Sequence, residues 1–132
     1  MMARAINPVP LSMHEFSPDG AYPEGPGYWG YGTTYNVMLI SALQSTLGTD
    51  FGLSQQPGFL ATADYYLHVT GPSGYFFNYS DCGRGGPSVA AAMFWFAAQR
   101  QQPYLLWNAW PKITHADDRR SGRDRTDPLL LL

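Results

Sequence analysis

Between Pro18 and Asn36 the chain reads PDGAYPEGPGYWGYGTTYN, and no other segment narrows its folding options so far. Five glycines, four tyrosines (Tyr22, Tyr28, Tyr31 and Tyr35), Trp29 and Glu24 crowd into this one stretch. Glycine lets a backbone turn sharply and lie close to a ligand, while tyrosine and tryptophan rings offer flat apolar faces with a polar tip. A core segment written this way would spend ordering entropy and bury little side chain. The stretch is therefore expected to be a ligand-facing loop that leads directly into a helix. An Asp-Gly turn at Asp19 and Gly20 sets its beginning.

The rest of the chain reads as helices joined by decorated loops. Residues Met1 to Phe16 form a helix end or short turn, broken by Pro8 and Pro10. A first helix is expected from about Thr34 to Leu47, capped by Thr33 or Thr34 and ended by Gly48. Its buried face would be Tyr35, Met38, Leu39, Ala42, Leu43 and Leu47, which recur at helical spacing. A second helix spans Gly58 to Val69, with Phe59, Ala63, Tyr66 and Leu67 inward and Gly71-Pro72 as its stop. GPSGYFFNYSDCGRGGPS follows as a glycine-rich loop with a short extended piece, too brief for a sheet. A third helix is expected from Ser88 to Gln101, apolar almost all round and so buried on several sides. A short fourth helix runs from Tyr104 to Trp110. The fold class is all-α, with one domain over residues 1–112. Residues 113–132 change character: ADDRRSGRDR is dense in mixed charge, and the chain ends on four leucines. That tail is expected to be disordered, or to mark a junction, a truncation or an altered reading frame.

Charge excludes several function classes. A net charge of −2 gives no electrostatic case for nucleic acid or an anionic membrane. The longest purely apolar run, Val89 to Ala98, is too short to cross a bilayer, and the N-terminal residues lack the apolar core of a signal peptide. The single cysteine, Cys82, forms no internal disulfide, and His14, His68 and His115 are not spaced as metal ligands. Each histidine reads as a surface or packing residue. Neither a phosphate-binding loop nor a nucleophile elbow is present. No cofactor or metal is called for.

Several blocks in one order, EGPGYWGYGTTYN, LGTDFGLS, GPSGYFFNYSDC and AAMFWFA, resemble the helical domain of heparinase II/III-type polysaccharide lyases. The likeness runs from about Ala3 to Trp110. It implies a partial α/α toroid of helical hairpins, with β-sandwich domains following in the parent enzyme. It also implies β-elimination on a uronate-containing acidic polysaccharide, with Tyr28 as acid and base. Glu24, Trp29, Tyr31 and Arg84 would bind substrate. Family members are commonly periplasmic or secreted. The family's Asn or His carboxylate neutraliser and its sandwich histidine have no counterpart here. The chain is therefore expected to be a fragment, inactive alone, whose partners are an acidic oligosaccharide and the rest of the parent lyase.

Each of these residues has a plainer reading. Tyr28 and Trp29 would serve equally as the anchor of an aromatic cluster, and Tyr35 as core. A tyrosine base needs nearby positive charge to hold phenolate, because its ordinary pKa lies near 10. Arg84 and Arg100 are the candidates within the chain. Glu24 with Asp81 would be a carboxylate pair of glycosidase type, without any spacing to support it. Asp81, Cys82 and Arg84 lie in a glycine-rich loop able to line the same cleft. A noncatalytic carbohydrate-binding helical module and a nonfunctional truncated remnant stand as alternatives to the lyase.

Overall fold

A computed structural model describes residues 2–86 and 90–110. Among them are five α-helices, three short 3-10 turns and no strand, so the all-α reading holds. The tail beyond residue 110 and the expected helix start at Ser88 lie outside the described residues. Helix α1, Met2–Ile6, and α2, Val9–Met13, form a short N-terminal pair that runs on into a 3-10 turn, His14–Phe16. Pro8 sits at the cap of α2 and Pro10 in its first turn, where a missing N–H costs nothing. Met13 and Phe16 carry this unit into the core.

Helix α3, Gly25–Leu47, dominates the molecule at 23 residues, about 35 Å long at 1.5 Å per residue. Its beginning corrects the sequence reading: from Gly25 onward the glycine-tyrosine stretch is helix, not loop. Each interior glycine costs a helix up to about 1 kcal/mol relative to alanine. Complete burial of Trp29 on the same turns outweighs that cost. The glycines also permit close approach, since a Cβ on Gly32 would stand 2.8 Å from the Tyr22 hydroxyl.

The period expected for this helix is correct and its phase is not. The buried stripe is Pro26, Trp29, Thr33, Val37, Ile40 and Leu43, while Tyr35 is 49% exposed and Met38 and Leu47 face outward. Tyr35 is thus not core. Nor does either threonine cap: both lie mid-helix, and the Thr34 hydroxyl donates to the Gly30 carbonyl at 2.6 Å. Gly48 does end the helix, at φ +70, with its N–H donated to the Gln44 carbonyl.

Helix α4, Thr62–His68, starts later than expected because Gly58 has φ +78, which no right-handed helix accommodates. Helix α5, Ala91–Arg100, likewise starts after an extended Ala90 and stops where Gln101 turns left-handed. It buries Ala91, Ala92, Met93, Trp95, Phe96 and Ala97, the many-sided burial its composition predicts. The expected fourth helix is a 3-10 turn, Pro103–Leu106, packed on α5 and α4. Between α4 and α5 the chain folds back through one bridge, Thr70 to Phe76, with Phe77 N–H donated to the Val69 carbonyl at 2.7 Å.

An aromatic cluster joins these elements. Trp29 stacks on Tyr66 at 4.0 Å, Phe16 meets Phe59 edge-on at 5.1 Å, and Phe59 packs on Phe96 at 5.3 Å. The one described salt bridge, Arg100 to Asp64 at 2.6 Å, ties α5 to α4, and Tyr104 adds its hydroxyl to the same carboxylate.

Asp50 organises the turn after α3, its two oxygens accepting from the N–H groups of Gly52 and Ser54. Burial pushes the Asp50 carboxyl up, but the hydrogen bonds from Ser54 and Gly52 together outweigh it and hold its pKa below the ordinary value. A depressed carboxylate contributes stability above its unfolded pKa and loses it as pH falls through the folded one. Asp50→Asn is therefore expected to lower Tm at neutral pH by roughly 1–3 °C. Its Tm should also fall less than that of wild type between about pH 6 and about pH 2. Parallel acid-side losses in the two proteins would refute this role.

Candidate functional site

Starting Gly-Pro, α3 places its first aromatic residues on opposite sides. Trp29 turns inward, is wholly buried, and donates its Nε1–H to the Thr62 hydroxyl at 2.7 Å. The expectation that Trp29 stacks on a sugar is corrected: both its face and its polar tip are already used within the core. Tyr28 and Tyr31 turn outward, three residues apart and so on one face of the helix. Tyr28 is 47% exposed, and Tyr31 packs edge-on against Tyr35 at 4.9 Å.

Tyr28, Tyr31, Gly27 and Asp81 line an open concavity of about 350 Å³. Asp81 comes from the glycine-rich loop after α4, which the sequence reading brought to the same cleft. That loop is fastened by a chain of phenols. Tyr65 and Tyr79 share a hydrogen bond at 2.8 Å, and the Tyr79 hydroxyl donates in turn to the Tyr22 carbonyl. Burial, then the bond to Tyr79, raises the Tyr65 pKa far above the ordinary tyrosine value. Tyr22 is raised as well, by burial and then by the negative charges of Glu24 and Glu15. The half-buried Tyr65 and Tyr79 hydroxyls, with the Tyr22 backbone carbonyl, hold the loop in place.

The other expected site residues do not gather here. Glu24 occupies the cap position of α3 without a side-chain capping bond, and it does not line the concavity. Arg84 lies over the Tyr75 ring at 6.0 Å. Arg100 is committed to Asp64 and the Leu60 carbonyl. Neither arginine lines the concavity, so the positive charge that a tyrosine base needs is not supplied by the residues expected to supply it. The Glu24–Asp81 pairing likewise has only one member at the site. Cys82 is free and buried, and no group of three or more metal-ligating side chains is present among the described residues. No described helix is long and apolar enough to cross a membrane.

A second concave region escaped the sequence reading. It lies between the C-terminal end of α4 and the turn after α5, encloses about 620 Å³, and has Tyr104 and Trp107 among its walls. Only the aromatics between Tyr104 and Trp110 hinted at it, and these read simply as a short fourth helix.

No protein-family model matches this chain, and a search of curated proteins finds no match.

Proposed function

We propose that this chain is part of the α/α-toroid domain of a heparinase II/III-like polysaccharide lyase, and that its Tyr28 face forms one wall of the sugar cleft. The observation that carries this reading is the concavity shared by Tyr28 and Tyr31, two solvent-facing phenols on one face of α3. In β-elimination, a base takes the proton beside the uronate carboxylate and an acid protonates the departing glycosidic oxygen. Tyr28 does both in turn, and Tyr31 offers its ring to the neighbouring sugar. Tyr28 stands on the first turns of a long helix, whose dipole favours an anion by about 0.3–1 kcal/mol. Asp81 opposes that effect. Neutralising the uronate and stabilising phenolate therefore fall to cationic or amide groups elsewhere in the parent lyase.

Asp81 also favours a second reading, a noncatalytic carbohydrate-binding module. A carboxylate beside two aromatic rings suits sugar hydroxyls and leaves elimination without its charge partner. Titration with oligouronates, together with the ultraviolet absorbance of unsaturated uronate, separates the two. Both assays use the whole parent protein, since this chain alone lacks the charge partners. For the lyase, Tyr28→Phe in that protein is expected to lower product formation by about 100-fold or more while affinity holds. Saturable binding without product, unchanged in Tyr28→Phe, establishes the module. Absence of both binding and product sinks both readings.

A further inference from the structure

The larger groove, about 620 Å³ between α4 and the turn after α5, has a chemistry of its own. Its volume falls within the usual range for small-molecule sites. Trp107 is 76% exposed on its wall, an unusual position for the most costly apolar side chain to leave in water. Beside it stands Tyr104, whose hydroxyl donates to Asp64 at 3.1 Å, so the ring is held at a set angle without a ligand. Asn108 donates its side-chain N–H to the Leu67 carbonyl at 3.4 Å, which orients the amide and leaves its Oδ1 as an acceptor. His68 supplies a further polar edge; Thr70 also lines the groove, with its hydroxyl oxygen buried and without a hydrogen-bond partner. Among the described residues, no aspartate, glutamate, lysine or arginine lines the groove.

An exposed indole beside a tyrosine ring held by Asp64, with amide and imidazole groups around them, matches a ligand with one apolar face and polar edges. A pyranose ring has that form: its axial C–H face stacks on an indole and its equatorial hydroxyls reach the polar groups. The described lining residues carry no ionic side chain, so they offer no reward for a charged ligand and no compensation for desolvating one. We infer that this groove is a binding subsite for a neutral saccharide unit, with Trp107 as its stacking platform. The subsite does not depend on the role of Tyr28.

The test is calorimetric titration of the full 132-residue chain with a neutral glucose oligosaccharide and, separately, with an oligogalacturonate. Wild type is expected to bind the neutral sugar. Trp107→Ala should weaken that binding about tenfold or more, and Asn108→Ala should weaken it by a smaller factor. Tyr28→Phe should leave it unchanged. Trp107 is exposed, so its removal should leave the circular dichroism and Tm of the chain intact, which separates lost binding from lost fold. No saturable binding of the neutral sugar overturns the inference, as does binding that survives Trp107→Ala. A wild-type dimer that Trp107→Ala converts to monomer, without sugar binding, also overturns it and makes the groove a self-association face. Failure of the oligogalacturonate alone would count against the lyase reading and leave this subsite standing.

Discussion

Trp29→Ala is expected to destabilise the protein by about 3–5 kcal/mol, the range for truncating a buried aromatic residue to alanine. Trp29 has no exposed surface, stacks on Tyr66 at 4.0 Å and lies against Phe96, so its loss opens a cavity where three elements meet. It also strips a donor from Thr62, whose hydroxyl accepts from Trp29 at 2.7 Å and donates to the Gly20 carbonyl at 2.5 Å. Trp29→Phe separates the two contributions. It keeps much of the ring contact, deletes the hydrogen bond, and should cost about 1–3 kcal/mol less than the alanine variant. Urea unfolding monitored by circular dichroism measures both. If Trp29 were a sugar platform displayed at the surface, Trp29→Ala would change stability by only about 0.5 kcal/mol, and the packing described above would be wrong.

Gly58→Ala is expected to be as damaging, by about 4 kcal/mol or more, through a different mechanism. The turn containing Gly58 rests directly on the turn from Phe16 to Gly20. A Cβ at Gly58 would stand 1.8 Å from the Phe16 carbonyl oxygen and 2.9 Å from the Gly20 nitrogen, and both are backbone atoms that no rotamer change moves aside. Its φ of +78 adds the left-handed penalty carried by any L side chain. Gly20, at φ +88, faces the Thr62 backbone from the other side of the same contact. Gly48→Ala is the control. It shares the left-handed conformation at φ +70 but has open space around its Cβ position, so only the conformational cost of about 1 kcal/mol remains. Equal losses for Gly58→Ala and Gly48→Ala in the same denaturation series would show that the two turns do not touch.

The trouble at α3 shows what a linear reading misses. Glycine is the weakest helix former after proline, so a stretch with Gly25, Gly27, Gly30 and Gly32 has no local reason to be helical. Its reason is distant. Thr62, Tyr66 and Phe96 together accept the Trp29 indole, and they lie far along the chain from it. Omitting Trp29 from the helix also rotated the inferred buried face toward Tyr35 and Met38, since the largest inward side chain was missing from the pattern. The same omission made Trp29 a candidate sugar platform. Tyr28 and Tyr31, read as loop residues, share a face because three-residue spacing puts them together once the stretch is helical, and Asp81 joins them through a loop whose glycines had already marked it.

Local sterics act over a few neighbouring residues. They account for what could be read along the chain: helices as the only regular elements among the described residues, the stop of α3 at Gly48, and the turn at Asp19 and Gly20. Burial and grouping depend on partners tens of residues away. Packing of Trp29 on α4 and α5 set the phase of α3, and the backbone contact at Gly58 delayed the start of α4. The hydrogen bonds from Tyr65 through Tyr79 to the Tyr22 carbonyl hold the loop that brings Asp81 to Tyr28. The turn after α5 set Trp107 over the end of α4. Chain periodicity cannot register these contacts, because hydrophobic burial rewards whichever face meets a partner and the partner's position exists only in the folded molecule.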